Sequence, residues 1–490
     1  MTSAAPMMAL HEALGWMSDA RLLGDPLCPI TRVHTDTRSI AAGDLFVALR
    51  GERFDANTLL EQAAAQGAAA LLCQAGLPPQ AYPAGLARIE VPDTRLALGQ
   101  LAAGWRRRWN LPLIAVTGSN GKTTVTQMLA AILNAHAPDG AALATRGNLN
   151  NDIGVPLTLL RLRAEHRIAV VELGMNHPGE IAALAAMAQP GVALVNNAQR
   201  EHLEFMHTVQ AVALENGAVL AALEADGVAV YPVDDAYAPV WRQLAGARRN
   251  VGFVQALPAA DAAAPAGAER VLCRSAHWHA GAWQVHALAT LHGQPQDLHF
   301  ALHIAGRHNV RNALAAAACA LAAGVGPDAV ERGLSAFVPV QGRSRALALT
   351  LGGHAVTLVD DSYNANPDSV RAAIDVLAEL PGPRLLVLGD MGEVGSDGVA
   401  LHAEVGRYAQ ARGIDQLLAL GALVQHSVAA CAGARHLPSY PELEDDVLAA
   451  LQSGGYASVL VKGSRFMRME RAVQALERAS AAAAQANTET

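Results

Sequence analysis

The chain has 490 residues, enough for two to four domains. It is 52% hydrophobic and 16% charged with a net charge of −8, a well-buried globular composition that excludes a broad nucleic-acid-binding face. Its five cysteines stand singly without C-x-x-C spacing, no charged leader precedes an apolar core, and no run of about 18 apolar residues suggests a membrane span; a cytoplasmic protein with no signal peptide and no stable membrane insertion is expected.

Residues 1–108 read as a first α/β unit. Gly43-Asp44 is a turn, Leu45–Leu49 a strand, 51–57 a polar loop, and 58–73 a helix followed by a strand. Thr37, Arg38 and Asp55 either line a ligand pocket here or fill turn and surface roles.

Residues 109–335 read as a second unit, opened by Ala115-Val-Thr-Gly-Ser-Asn-Gly-Lys-Thr-Thr124. The apolar run Leu111–Val116 predicts a buried strand, and a helix is expected from about Thr123 to Ala135. Strand, glycine loop and helix together make a phosphate cradle. Gly118 and Gly121 let the backbone come close to a polyphosphate, Lys122 supplies a point charge, and the Thr123 hydroxyl is placed for Mg²⁺. Of 36 basic residues only Lys122 and Lys462 are lysine, and both follow apolar strands in glycine-flanked turns. A compact ammonium and a planar guanidinium differ as phosphate ligands, so both lysines read as functional.

Further strands at 168–172 and 192–197 and helices at 178–188 and 208–223 predict a parallel sheet, with polar residues at the carboxyl ends of its strands. Glu172 is placed to hold Mg²⁺ there. Asn196 and Asn197 end the next strand, and His202 follows as a metal ligand or phosphoryl contact. Alternation between 270 and 304 predicts an antiparallel patch. Asn309 and Asn312 lie one turn apart on a helix and suit either a purine edge or helix capping.

Residues 336–490 read as a doubly wound third unit with strands at 355–360, 384–389, 416–420 and 457–461. Arg343 stands at the hinge, able to clamp a carboxylate or phosphate or to make an interdomain salt bridge. Asp360 and Asp361 point to opposite strand faces, so they cannot act as a close pair; one contacts a sugar hydroxyl or cation. Asn364 and Asn366 can present amides to a small polar substrate. The tail Ala479–Thr490 reads as frayed.

Four separated motifs, in order, resemble those of the Mur ligases, the ATP-dependent amide-forming enzymes of bacterial cell-wall synthesis. They are Gly43-Asp-Leu-Phe-Val-Ala-Leu49, the loop Thr117, Gly118, Ser119, Asn120, Gly121, Lys122, Thr123, Thr124, the pair of stretches 147–158 (with Asn150 and Asn151) and 172–179, and Asp361-Ser-Tyr-Asn-Ala-Asn-Pro367. The resemblance spans nearly the whole chain. It implies a UDP-sugar-binding first unit, an ATP-binding second unit, and a third unit contacting ATP and the incoming amine. The amine implied is D-alanyl-D-alanine, joined to UDP-N-acetylmuramoyl-tripeptide by a monomeric enzyme. By the same resemblance Lys122 and Thr123 hold ATP phosphates and Mg²⁺, and Glu172 and His202 form a second metal and phosphate site. Asn309 matches the adenine contact, Arg343 the hinge arginine and the Asp360–Asp361 pair the ribose aspartate, with Asp361 favoured. Tyr363, Asn364 and Asn366 lie where the dipeptide is positioned.

Two stretches depart from the family pattern. Asn216 stands where many relatives carry a lysine that becomes carbamylated to hold a metal, and Ala218 where they carry glutamate. Either Asn216 or Glu215 substitutes, or the metal is held without this ligand. Asp55-Ala-Asn57 replaces Asp-Gly-His. The alternatives are another Mur ligase or a folylpolyglutamate synthetase, against which the Tyr363–Pro367 loop argues, and a nucleotide-dependent switch, which needs no substrate-facing loops on a third unit.

Overall fold

The computed structural model describes residues 5–51, 54–255, 268–279 and 281–488. Glu52 and Arg53 of the expected polar loop, and the last two residues of the expected frayed tail, lie outside them.

Among the described residues the chain builds three main sheets in the order the sequence predicts, with a small two-stranded sheet of Met8–Ala9 and Pro29–Ile30 beside the first. The first has five strands, ordered Arg21–Leu23, Ala87–Val91, Ala70–Gln74, Asp44–Val47, Arg32–His34, all parallel neighbours except the first pair. Helix Thr94–Arg106 leaves this sheet, capped by the Asp93 carboxylate, which accepts from Arg95 N and Leu96 N. Its far end is buried in the second unit. Trp105 Nε1 donates to Leu162 O at 3.1 Å, and the buried Arg106 guanidinium donates to Ala188 O at 3.0 Å. The first two units therefore share one continuous apolar core.

The second sheet has nine strands. Six consecutive pairings, from Ala142–Ala144 through Ile168–Glu172, Leu113–Thr117, Val192–Val195, Val228–Pro232 and Arg249–Val254 to Arg270–His279, are parallel. Strands Ala282–Leu291 and Gln294–Leu302 then add antiparallel, so the expected antiparallel patch is an extension of the main sheet. Strand Leu113–Thr117 is buried along its whole length, and its residues alternate between two cores: Leu113 and Ala115 face one, Ile114 and Val116 the other. It sits between Ile168–Glu172 and Val192–Val195, with Ala142–Ala144 beyond the first of these, so the strand order reverses beside it and its carboxyl end is the topological switch point where ligands of such sheets bind.

The third sheet has six strands, ordered Arg345–Leu351, His354–Asp361, Ser458–Lys462, Arg384–Gly389, Gln416–Leu420, Arg435–Leu437. Helices cover both faces. The two edge strands lie outside the expected four: Arg345–Leu351 alternates, with leucine at every second position, and Arg435–Leu437 is three residues long. The tail is a helix, Glu470–Thr488, not a frayed end. Its Ala479 packs on the core, and Ser480 Oγ accepts from Thr350 N at 3.0 Å. An Ala-rich run has high helix propensity, which the composition alone left unused.

The second and third units are closed on one another. Arg200 N and Nε donate to Asp368 at 2.9 and 3.0 Å, and its Nη1 donates to Glu404 Oε2 at 2.8 Å. Glu404 and Asp368 together raise the Arg200 pKa, and Arg200 in turn holds the Glu404 carboxyl below its usual range. Each side chain keeps partial exposure, so the fork is worth on the order of 1–3 kcal/mol before solvent screening reduces it. Arg200→Ala is expected to shift the ligand-free protein toward an open form, raising its radius of gyration in small-angle scattering. An unchanged scattering profile would show that closure does not depend on this clamp.

Candidate active site

A cavity of about 1430 Å³ lies where the second and third units meet, lined by the loops that leave the strand ends of both. A pocket for a single small ligand is roughly 300–1,000 Å³, so there is room for more than one.

The phosphate loop forms its floor. Helix Lys122–His136 starts at Gly121 with no side-chain cap, and residues Ser119–Thr124 line the cavity. Uncapped N–H groups and the helix dipole favour an anion there. The loop conformation needs its glycines. Gly118 has φ +130° and Gly121 φ +81°, and a Cβ on either would approach the 196–197 turn or Asn312 to within 3.0 Å. Asn197 steadies the loop by accepting from Asn120 N at 2.9 Å through Oδ1. Behind the loop Asn216 Oδ1 accepts from Thr117 Oγ1 at 2.6 Å and from Gly118 N at 2.9 Å.

Asn216 is 1% exposed and outside the cavity lining, and Glu215 caps helix Glu180–Ala188 by accepting from Gly179 N and Ile181 N. In this arrangement both side chains bond loop and helix-end groups rather than face the cavity. The position that departs from the family pattern serves as the anchor of the phosphate loop.

Glu172 is 1% exposed at its strand end. Its Oε1 accepts from Asn150 Nδ2 at 2.7 Å and from Thr123 Oγ1 at 3.2 Å, while its Oε2 is buried without a hydrogen-bond partner. Two hard oxygens beside an anion cradle, one of them unsatisfied, fit a Mg²⁺ ion. Asn151 lines the cavity but spends its Oδ1 on Gly154 N.

His202 is held between carboxylates, its Nδ1 2.6 Å from Glu393 of the third unit and its Nε2 3.5 Å from Glu201. Burial alone would lower its pKa, but the two glutamates outweigh it and raise the value to about 9, so the ring is an imidazolium in this arrangement. Lys122 Nζ donates to Glu201 Oε1 at 2.6 Å and to the carbonyls of Gly118 and Ser119. Neither Glu201 nor Glu393 was visible as a site residue in the sequence. Each is one acid on a loop, given meaning by partners from other elements.

Asn309 and Asn312 do share a helix face and line the cavity, but their amides bond each other. Asn312 Nδ2 donates to Asn309 Oδ1 at 2.9 Å, and Asn312 Oδ1 accepts from Asn196 Nδ2 at 2.9 Å. Asp360 and Asp361 separate as their alternation predicts. Asp360 is 0% exposed and ties down Gly342 N and Ser362, outside the cavity lining. Asp361 lines the cavity and pairs with Lys462 Nζ at 2.6 Å. The Asp360 expectation is thus corrected to a buried turn anchor. Lys462 also donates to Asn364 O at 2.8 Å, which fixes the loop carrying Tyr363. The Arg343 guanidinium lies 4.3 Å from the Tyr363 ring centroid, and Asn366 Nδ2 crosses the cleft to Asn120 Oδ1 at 2.9 Å.

Thr37, Arg38 and Asp55 stand apart from this cavity. Thr37 is buried, Arg38 is paired with Asp36, and Asp55 Oδ1 accepts from Asn57 N and Nδ2. Arg95, on the helix that leaves the first sheet, reaches the cavity and donates to Asp152 at 2.7 Å.

Known proteins share this plan. Residues 29–106 match the Mur ligase family catalytic domain, 116–320 the Mur ligase middle domain and 343–465 the Mur ligase glutamate ligase domain. The UDP-N-acetylmuramoyl-tripeptide–D-alanyl-D-alanine ligase of Escherichia coli K12 is 40% identical over 91% of this chain and 93% of its own. That of Haemophilus influenzae is 37% identical over 95% and 97%. A crystal structure of MurF from Acinetobacter baumannii superimposes with a TM-score of 0.84 at 32% identity, covering 96% of this chain and 99% of that one. With three matched domains in order and relatives alike over nearly their whole length, the chain belongs to the Mur ligase family.

Proposed function

We propose that the protein joins D-alanyl-D-alanine to UDP-N-acetylmuramoyl-tripeptide at the expense of ATP, in peptidoglycan precursor synthesis. The observation that carries this reading is the shared cavity: an uncapped phosphate-binding helix on one wall and the Tyr363–Asn366 loop on the other. A switch protein would not need the second wall.

A carboxylate is a poor electrophile and must be activated. The terminal carboxylate of the tripeptide attacks the γ-phosphorus of ATP, forming an acyl phosphate and releasing ADP. The dipeptide amine then attacks the acyl carbon, and the tetrahedral intermediate expels phosphate. The first step brings two anions together. Lys122 and the first-turn N–H groups of its helix offset that repulsion at the phosphates. Thr123 and Glu172 would hold Mg²⁺, which neutralises charge on the transferring phosphoryl group. His202, held by Glu201 and Glu393, adds positive charge beside the phosphates, and can ligate a metal only after losing a proton.

Asn309 and Asn312 keep unused amide capacity for an adenine edge, and Asp361 is the aspartate available to a ribose. Arg343, Tyr363, Asn364 and Asn366 receive the dipeptide. The first unit, with Thr37, Arg38 and Asp55 on loops at the carboxyl edge of its parallel strands, takes the UDP moiety. The protein works in the cytoplasm, where singly placed cysteines stay reduced. No helix among the described residues is long and apolar enough to cross a membrane.

The test is phosphate release from Mg-ATP with each co-substrate present or omitted. Release that needs both, matched by a pentapeptide product, supports the reading. Release indifferent to both overturns it, and acceptance of a single amino acid in place of the dipeptide would keep the family and change the reaction.

A further inference from the structure

The ammonium of Lys122 has three donors, and all three are spent inside the protein. Gly118 O accepts at 2.6 Å, Ser119 O at 3.1 Å and Glu201 Oε1 at 2.6 Å. A lysine in this state offers nothing to a phosphate. Of the three acceptors, Glu201 alone carries charge, so it decides how firmly the ammonium is held. Its side chain is 10% exposed, and its other oxygen, Oε2, is buried with no hydrogen-bond partner. Such a carboxylate gains little from water and depends on its cationic neighbours. It has two. Besides Lys122, His202 Nε2 lies 3.5 Å from Oε1, and His202 Nδ1 lies 2.6 Å from Glu393 across the cleft. Lys122, Glu201, His202 and Glu393 thus form a row of alternating charge from the phosphate loop to the third unit.

We propose that Glu201 is a positioning residue that parks Lys122 away from the phosphate position in the nucleotide-free enzyme and releases it when a nucleoside triphosphate binds. This rests on the reading of the cavity as a nucleotide site. A triphosphate carries several negative charges against one on the carboxylate, so it wins the ammonium. Glu201 then keeps His202 as its partner, and His202 remains joined to Glu393. The exchange uses no covalent step. It makes the empty site self-neutralised and subtracts the cost of breaking the Lys122–Glu201 pair from nucleotide affinity.

Calorimetric titration with a non-hydrolysable ATP analogue and Mg²⁺ tests this on the full chain. Glu201→Gln keeps the shape and removes the charge, and is expected to bind the analogue roughly five- to tenfold more tightly than the parent. Glu201→Asp restores the charge and should return toward parental affinity. In turnover, Glu201→Gln should lower the KM for ATP while kcat falls, a split that loosened packing does not produce. Unchanged or weaker binding by Glu201→Gln, in a variant whose melting matches the parent, overturns the proposal. So does tightening by Glu201→Asp equal to that of Glu201→Gln, because charge would then not be the cause. Failure of the parent to bind the analogue would instead overturn the nucleotide site itself.

Discussion

Lys122→Ala is expected to lower kcat by about a thousandfold or more, the scale seen when a preorganised charge is removed from a transferring phosphoryl group. The lysine is the first residue of the uncapped helix, and the chain's other lysine, Lys462, is committed to Asp361 and Asn364 O. Loss of activity alone would not separate chemistry from folding. Removing Lys122 leaves Glu201 buried beside a histidine with one oxygen already unpartnered, and that destabilises the site. The double variant Lys122→Ala/Glu201→Gln removes both charges together. It should recover the melting temperature of the parent and still fail to turn over. Near-native phosphate release by either variant would mean that the loop does not hold the reacting phosphates. Arginine should not rescue, because a planar guanidinium fork and a compact ammonium differ as phosphate ligands.

The features legible in the sequence are those that local physics sets. Strand Leu113–Thr117 announced itself as an apolar run, the loop after it by two glycines whose backbone angles admit no side chain, and Asp360 and Asp361 by the strand alternation that sends them to opposite faces. What stayed hidden is what distant partners set. Glu201, Arg200 and Glu393 are single charged residues on loops. Their meaning comes from Lys122, Asp368 and His202, which lie up to 191 positions away along the chain. The paired amides of Asn309 and Asn312 could be placed on one face from their spacing, but not their bond to each other or to Asn196. The shared core of the first two units was hidden for the same reason: Arg106 looks like one more surface arginine until its carbonyl acceptors arrive from the second unit.

Asn216 carries the second large expected effect. Its Oδ1 is the acceptor for both Thr117 Oγ1 and Gly118 N, and its Nδ2 donates to Val212 O at 3.1 Å, one turn back on its own helix. The last bond fixes the amide so that the oxygen faces the phosphate loop. Asn216→Ala leaves the Gly118 N–H buried without an acceptor, at a cost of about 1–3 kcal/mol. The loop can relieve that only by moving, and a displacement of about 1 Å in a positioning element costs on the order of a hundredfold in rate. Activity should therefore fall much further than stability does. Asn216→Asp keeps the acceptor but points its second oxygen at Val212 O, so it should retain more activity than alanine while losing stability. Bicarbonate provides an independent check. An amide nitrogen is not a nucleophilic amine, and this one is sealed behind the loop, so added bicarbonate should leave the parent's rate unchanged. Stimulation would point to a carbamate on Lys122 or Lys462, and each of those already donates to a carboxylate at 2.6 Å. Forming it would mean breaking that ion pair and turning the cation that balances it into an anion.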